Sequence, residues 1–205
     1  MKVIESKLNK ELLDILDPFT KWFFSQDMSL INIAGEPDKD EYYTEQKYLK
    51  YIQEKGHEGF PEVKYGIDLT AVESTPIDSR EVIIKITKDL NAYFGSKFNA
   101  VKMFYPESGF MSWHNNHNCP GYNILLSYTK NGDGWFRYQD PITEEIVTLY
   151  DKPGWTAKVG YYGHNKEPDK LYWHCARAYE PRLTFGFVIP HKHMWEMMCE
   201  DLYSQ

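Results

Sequence analysis

The sequence predicts an α+β fold, in which a two-sheet antiparallel core carries helices gathered on one side. Seven segments of four to ten residues in the second half are rich in β-branched and aromatic side chains. Turn sequences such as ESG, NGDG and KPG separate them, and no helical pattern interrupts them. This arrangement is typical of an antiparallel sandwich or a double-sheet jelly roll. The 205 residues suffice for one such core but not for two full domains.

The predicted strands define the organisation of the chain. Residues 98–190 are expected to form the β-core, and residues 1–97 a helical and irregular region that packs on it. Residues 191–205 are expected to form a terminal helix, all within a single domain. The strand segments read, in chain order, NAVKMFYP, YNILLSYT, GWFRYQD, EIVTLYD, TAKVGYYG, KLYWHCARAY and RLTFGFVI.

Helices separated by polar segments are predicted in the first half. The first has apolar residues at helical spacing from Leu8 to Leu16, and Pro18 is expected to end or kink it. The second spans residues 41–56 and ends on a glycine. The polar segment 34–43 favours a surface loop, with a mobile lid as the alternative.

The segment 78–95 has the clearest helical pattern in the chain. Asp78 and Glu81 match a capping box, and Gly95 stands at the position of a C-cap. One face of this helix is apolar and is expected to cover one side of a sheet. That face consists of Ile83, Ile86, Leu90 and Phe94.

Composition narrows the classes of partner. The formal net charge of −7 argues against a nucleic-acid partner, because binding to a phosphate backbone relies on clustered lysines and arginines. Cys119, Cys175 and Cys199 are odd in number and lack the spacing of a disulfide framework, which favours a reducing compartment. No apolar run approaches the ~20 residues of a membrane span, and the N-terminus lacks a signal-peptide pattern. A cytoplasmic protein without membrane contact is expected.

The segment SWHNNHNCPG, residues 112–121, concentrates side chains that can bind metals. His114 lies in it, directly after a predicted strand, and His174 lies 60 residues later in LYWHCARAY. In a two-sheet barrel, positions so far apart in sequence can face each other across the mouth. The two imidazoles are therefore predicted to share one first-row metal ion such as iron.

A carboxylate clamp is predicted on the neighbouring strand. Arg182 begins the segment RLTFGF and is expected to point inward. A guanidinium holds a carboxylate through two parallel hydrogen bonds, which a lysine ammonium cannot do. Thr184 returns to the same strand face two residues later and can donate its hydroxyl to the same carboxylate.

Six motifs in this order resemble the 2-oxoglutarate- and Fe(II)-dependent oxygenases, which fold as a double-stranded β-helix. The resemblance covers about residues 98–189 and does not extend to residues 1–95. It implies that the chain takes up Fe(II) and 2-oxoglutarate and oxidises an unreactive C–H bond with dioxygen. The motifs are FYPESGFMSWHNN, YNILLSYT, GDGWFRYQDP, KPGWTAKVGYY, LYWHC and PRLTFGF.

The resemblance implies a role for individual residues. His114 and His174 match the two iron-binding imidazoles of the family. Arg182 and Thr184 match the pair that holds the distal carboxylate of 2-oxoglutarate. Tyr105 stands at the Tyr-Pro position, which in some members also contacts this cosubstrate.

Asn116 departs from the family pattern. The family carries a carboxylate ligand two residues after the first histidine, and an amide oxygen is a neutral and weaker donor. Asn116 can bind or support the metal through its amide. Alternatively, it stays off the metal and leaves a position for water or halide, as in halogenating members, or the site has lost its chemistry. The first alternative is favoured.

The candidate residues also have purely structural interpretations. His114 can be a surface histidine, and His174 can be a core histidine bonded to the backbone. Arg182 can pair with a surface acid such as Glu180, and Tyr105 can be a packing residue.

Two other function classes fit the same residues. One is a tetrahedral zinc site, structural or hydrolytic. The other is a non-catalytic jelly-roll module in which the aromatic and asparagine side chains line a groove for a sugar or peptide. If the chain is an oxygenase, a peptidyl or small-molecule substrate is expected. The zinc site would draw its ligands from His114, His117, Cys119 and either His174 or Cys175.

Overall fold

The structure is a computed structural model that describes residues 1–4, 7–33, 35–72, 79–96 and 99–202. Helices and two antiparallel sheets make up these residues, in line with the predicted α+β class. None of the helices within these ranges is long and apolar enough to cross a bilayer. The helices are α1 (Lys10–Phe24), α2 (Gln46–Glu54), α3 (Leu69–Val72), α4 (Arg80–Tyr93) and α5 (Lys192–Asp201), and short 3-10 turns occupy Met28–Leu30, Tyr42–Thr44 and Pro168–Lys170.

The strands form a six-stranded and a five-stranded sheet. Their orders are β1-β9-β6-β11-β4-β3 and β2-β5-β10-β7-β8. All seven segments predicted as strands form strands, and β5 adds one that ends on the histidine of the HNN segment. The strands are β1 (Lys2–Ile4), β2 (Lys64–Tyr65), β3 (Ile67–Asp68), β4 (Asn99–Tyr105), β5 (Phe110–His114), β6 (Gly121–Thr129), β7 (Gly134–Gln139), β8 (Ile146–Tyr150), β9 (Gly154–Tyr162), β10 (Trp173–Ala178) and β11 (Arg182–Ile189).

The N-terminal region contributes strands as well as helices. β1, β2 and β3 come from the first half of the chain, and each lies at an edge of its sheet. β1 pairs with β9, β2 with β5 and β3 with β4. The sequence pattern did not predict them because segments of two or three residues are too short to display an alternation.

Helices α1, α4 and α5 cover the outer face of the six-stranded sheet, where they form one apolar core with it. The ring of Phe185 lies 5.6 Å from that of Phe19 on α1. The ring of Phe187 lies 4.5 Å from that of Phe94, which follows α4. Because side chains alternate along a strand, Arg182 and Thr184 on β11 point to the opposite, inner face of the sheet.

The five-stranded sheet has a helix of its own, so the prediction that the helices gather on one side is wrong. α2 packs Leu49 and Ile52 against Trp113, Trp135 and Cys175 of this sheet. These three sheet residues are almost fully buried. The outer face of the smaller sheet is therefore also apolar, and only a second covering element removes it from water.

α1 runs through Pro18 to Phe24, so the helix does not terminate at the proline. It begins after Asn9, whose side-chain oxygen accepts a hydrogen bond from the Leu12 N–H at 2.9 Å. A proline inside a helix leaves the carbonyl four residues earlier without its donor. Here that carbonyl belongs to Asp14, which is exposed, so water can satisfy it.

α4 matches the prediction over its apolar face and at its end. Ile83, Ile86, Leu90 and Phe94 are all buried. Gly95 has a φ of +57°, a conformation that lets the chain leave the helix. Ser79 is the N-cap residue, and Asp78 of the predicted capping box lies outside the described residues.

The polar segment before α2 contacts the smaller sheet through Asp38 and Glu41. Asp38 in this segment is buried and accepts a hydrogen bond from the Tyr43 N–H at 2.9 Å. The Arg177 guanidinium on β10 lies 3.6 Å from Asp38 Oδ2 and 3.4 Å from Glu41 Oε1. Ala34, within the predicted loop, lies outside the described residues.

Candidate functional site

His114 and His174 lie side by side on the five-stranded sheet. They are paired in register on the antiparallel strands β5 and β10. Their ring centroids are 4.1 Å apart, with an angle of 56° between the ring planes. The residues are only 8% and 7% exposed, respectively. The predicted meeting of two imidazoles from distant parts of the chain is therefore present.

Each imidazole is held by a backbone carbonyl. His114 Nδ1 lies 2.8 Å from the Ser112 carbonyl oxygen, and His174 Nδ1 lies 3.1 Å from that of Tyr172. A carbonyl can only accept, so each Nδ1 carries a proton when the ring is neutral. The lone pair of the neutral ring is then on Nε2, the atom that would bind a metal.

Burial keeps both imidazoles neutral. It lowers the pKa of His114 to about 4. It also lowers the pKa of His174 well below its usual value, and the neighbouring His114 lowers it further. A neutral imidazole is the form that coordinates a metal, so both rings are ready to bind one at pH 7.

Aromatic side chains surround His174 on the inner side of the sheet. The ring of Phe136 on β7 stacks on it at 5.6 Å, and the ring of Tyr162 on β9 meets it edge-on at 4.8 Å. Since β9 belongs to the other sheet, the histidines face the space between the two sheets. Phe136 and Tyr162 are buried and limit the access of water to this space.

Asn116 lies two residues beyond the end of β5 and is half-buried. Its backbone carbonyl accepts a hydrogen bond from the Cys119 N–H at 2.8 Å. Its side chain makes no hydrogen bond within the part of the chain that the structure describes. The predicted role of Asn116 as a third ligand therefore stays a prediction.

The residues predicted to form a carboxylate clamp lie on the inner face of the six-stranded sheet. Arg182 pairs with Tyr105 across β11 and β4, and Thr184 pairs with Ser127 across β11 and β6. All four residues are buried. The guanidinium carbon of Arg182 lies 5.7 Å from the centre of the Tyr105 ring. The predicted inward direction of Arg182 is thus present, and so is its proximity to Tyr105 and Thr184.

Arg182 already holds a carboxylate of the protein itself. Its Nε donates to Asp151 Oδ2 at 2.8 Å, and its Nη2 lies 3.4 Å from Asp151 Oδ1 and 3.0 Å from Ser127 Oγ. Lys158 Nζ forms an ion pair with Asp151 Oδ1. The alternative partner Glu180 instead accepts hydrogen bonds from the backbone N–H groups of residues 131 and 133.

We call Asp151, Lys158 and Arg182 the buried charge cluster. Their side chains are 1%, 0% and 1% exposed, respectively. Burial by itself would raise the pKa of Asp151, but Arg182 and Lys158 hold that pKa below its usual value. Burial lowers the pKa of Lys158, and the Asp151 carboxylate opposes this effect. Asp151 is therefore ionised at neutral pH.

Thr184 carries a buried hydroxyl without a partner. The residue is 3% exposed, and its Oγ1 makes no hydrogen bond to any described residue. A buried polar atom that lacks a partner costs about 1–3 kcal/mol. This hydroxyl lies beside the buried charge cluster. A hydrogen bond from it to a bound ligand would remove this free-energy cost.

Asp151, Lys158 and Ser127 were not identified from the sequence. Lys158 did leave a signal, since it occupies an inward position of the apolar strand segment TAKVGYYG. A lysine is almost never fully buried unless it is paired. Asp151 and Ser127 left no comparable signal, because an Asp before a Lys-Pro-Gly turn is ordinary in a surface loop.

Of the residues of the zinc alternative, His114 and His174 lie together, but among the described residues no third histidine or cysteine joins them. Cys175 follows His174 on β10 and therefore points to the opposite face of the sheet, where it packs under α2. Cys119 is exposed. No cluster of three His, Cys, Asp or Glu side chains able to hold a metal occurs among the described residues. The zinc site is therefore not supported.

No protein-family model matches the chain, and no curated protein matches its sequence. The facing sides of the two sheets carry two sets of polar groups. Those groups are a pair of neutral imidazoles and, on the other sheet, the buried charge cluster with an unpaired hydroxyl. Together they suit a metal ion bound next to an anionic ligand.

Proposed function

We propose that this chain is a non-haem Fe(II)- and 2-oxoglutarate-dependent oxygenase of the hydroxylase type, built on a double-stranded β-helix. The strand order supports this fold. β4, β6, β9 and β11 lie in one sheet, and β5, β7, β8 and β10 lie in the other. Two four-stranded antiparallel sheets that face each other and exchange strands in this way correspond to a jelly roll.

The observation that carries the proposal is the pairing of His114 with His174 at a ring separation of 4.1 Å on the inner face of the smaller sheet. A core histidine bonded to the backbone would not require a second buried histidine beside it. Two buried neutral imidazoles whose Nδ1 atoms both face backbone carbonyls are typical of metal ligands. Their Nε2 atoms would hold Fe(II), with Asn116 as the third protein ligand.

The larger sheet supplies the groups that would hold 2-oxoglutarate. Facing sheets pack roughly 10 Å apart. A five-carbon dicarboxylate is long enough to reach from a metal on the histidines towards Arg182 and Thr184. Arg182 supplies charge there, and the unpaired Thr184 hydroxyl supplies a donor.

When bound, Fe(II) and 2-oxoglutarate supply an oxidant made from dioxygen that attacks an unreactive C–H bond, while the keto acid is converted to succinate and carbon dioxide. The protein's part is to orient the substrate towards the oxidant and to exclude water. Tyr162 and Phe136 fix the His174 ring from two sides. The Tyr105 hydroxyl stays protonated because burial raises its pKa to about 12, even though the nearby Arg182 lowers it.

The proposed substrate is a peptide or a small molecule rather than a nucleic acid, since the chain has a net charge of −7. A cytoplasmic location is part of the proposal. Fe(II) is maintained in a reducing compartment, and Cys119 and Cys175 form no disulfide.

The test is anaerobic addition of Fe(II) and then 2-oxoglutarate to the wild-type protein. We expect a visible charge-transfer band, followed by succinate release when air is admitted. His174→Leu has a similar volume but no ligand atom, and it should lose both signals. His193→Ala is the matched control, since His193 is exposed on α5 and should keep both.

Two results would contradict the proposal. One is a wild-type protein that gives neither the band nor succinate with Fe(II). The other is a His174→Leu variant that retains both signals. Circular dichroism of each variant establishes that it is folded before its signals are compared.

A further inference from the structure

The formal charges of the buried charge cluster sum to one excess positive charge. The cluster contains two cations, Lys158 and Arg182, and one anion, Asp151. Among the described residues, no other charged side chain pairs with any of the three. An unbalanced charge away from water is unfavourable, and a bound anion of one negative charge would balance it.

We propose that Asp151 and Lys158 determine which ligand Arg182 accepts: the cluster takes the singly charged carboxylate end of a ligand and discriminates against doubly charged ends such as a phosphonate. This inference rests on the proposed function, because it concerns the same 2-oxoglutarate site. It goes further by assigning roles to two residues outside the metal and clamp motifs.

Lys158 supplies the positive charge that leaves Arg182 able to attract an anionic ligand. Without Lys158, Asp151 and Arg182 would form a neutral pair and would attract no further anion. Lys158 lies on β9 opposite Leu125 of β6, on the same inner face as Ser127 and Thr184. Its ammonium group reaches the Asp151 carboxylate, which therefore shares its charge between two cations.

Asp151 acts as a positioning residue, and the backbone fixes its place. Its N–H donates to the Gly134 carbonyl at 2.9 Å. A Cβ atom at Gly134 would lie 2.7 Å from Asp151 Oδ2, so a larger residue at this position would require the carboxylate to shift. Asp151 Oδ2 in turn accepts from Arg182 Nε and orients the guanidinium.

The experiment measures binding of glutarate and of propane-1,3-bisphosphonate by calorimetry at pH 8 without metal. The two probes have the same three-carbon spacer, but each end of glutarate carries one charge, whereas each phosphonate end can carry two, so the bisphosphonate cannot present a carboxylate to the cluster in either orientation. The wild-type protein should bind glutarate at least tenfold more tightly. Lys158→Met makes the cluster neutral and should weaken glutarate binding at least tenfold. Lys158→Arg keeps the charge and is the matched control.

Asp151→Asn raises the charge of the cluster by one and should shift the preference towards the bisphosphonate. The double variant Lys158→Met/Asp151→Asn returns the charge to that of the wild type and should prefer glutarate again. It also keeps the test decisive if either single variant fails to fold, because its buried charge is the same as that of the wild type.

Equal wild-type affinity for the two probes would overturn the inference, and so would a folded double variant that prefers the bisphosphonate. The oxygenase proposal is tested separately, because neither probe has a keto group and no metal is present. If the discrimination holds but the charge-transfer band and succinate are absent, only the oxygenase proposal fails.

Discussion

Tyr162 on β9 meets His174 on β10 edge-on, with 4.8 Å between the ring centroids, although the two strands belong to different sheets. This contact joins the sheet that carries the imidazoles to the sheet that carries the buried charge cluster. Tyr162 lies four residues after Lys158 on the same face of β9. A substitution in the buried charge cluster is therefore expected to affect the position of the His174 ring, and a substitution of His174 is expected to affect the cluster.

Asn116→Asp should tighten metal binding at least tenfold, about 1.4 kcal/mol, because a carboxylate is a stronger donor than an amide. Competition of Mn(II) with a chelating dye measures the affinity. Asn118→Asp is the matched control. Asn118 is exposed and lies two residues further along the chain, and its substitution adds the same negative charge. Equal affinities of Asn116→Asp and the wild type would mean that Asn116 does not face the metal.

Acid should weaken the fold through the histidines. The folded pKa of His114 is about 4, below the unfolded value near 6.5, so the unfolded chain binds more protons between these values. The contribution of the neutral ring to the unfolding free energy is therefore complete above pH 6.5. It falls by roughly 3 kcal/mol as the pH is lowered towards 4. Urea unfolding at several pH values measures this loss.

His114→Leu is the matched variant for this pH dependence. It should show a flatter dependence of the unfolding free energy between pH 6.5 and 4. His174 has a lowered pKa as well and retains its own contribution in that variant. Parallel curves for the wild type and His114→Leu would show that His114 is not buried in the neutral form.

Thr184→Val should separate stability from binding. The Thr184 hydroxyl is buried and unpaired, so its removal should leave the unfolding free energy unchanged or raise it by up to ~1 kcal/mol. Affinity for 2-oxoglutarate, measured by titration of the Mn(II)-loaded protein, should nevertheless fall about fivefold to tenfold. A variant that loses stability but keeps its affinity would place the hydroxyl away from the ligand.

Thr156→Val is the control for the threonine variant. Thr156 is buried on the same sheet, and its hydroxyl donates to the Ser127 carbonyl at 3.4 Å. Its removal should therefore lower the unfolding free energy by about 1 kcal/mol. The two substitutions remove the same group and differ only in whether it has a partner.

Arg182→Lys keeps the charge of the clamp but loses its planar geometry. A lysine cannot donate to Asp151 and Ser127 in the arrangement that Nε and Nη2 provide. We expect at least a tenfold loss of 2-oxoglutarate affinity by the same titration. Arg137→Lys is the control on the outer face of β7, and it should leave the affinity unchanged. Equal losses in both variants would argue against a clamp at Arg182.

The sequence was sufficient to predict most of the strands and the inward residues on them. Alternation on β11 places Arg182 and Thr184 on one face and the helix-packed phenylalanines on the other, and this alternation is visible in the sequence. The register of His114 opposite His174 was not predictable in detail. It depends on a shift in the pairing of β5 and β10 between His174 and Ala176.

The buried charge cluster could not be predicted because its members come from three separate segments. Asp151 lies in the connection between β8 and β9, Lys158 within β9 and Arg182 at the start of β11. Charged side chains in a sequence are expected at the surface unless a partner is known. The second helical layer was missed for a related reason. The apolar residues of the smaller sheet are scattered over three strands, and only the fold brings them into one face.

The strand β1 has a protective consequence for the larger sheet. β1 pairs along β9 from Val159 to Ala157 and so ends the sheet on that side. An open β9 would offer unpaired N–H and C=O groups to strands of other molecules, which promotes aggregation. Deletion of residues 2–4 should therefore produce self-association, measurable by light scattering, in a protein whose interior charges and imidazoles are otherwise intact.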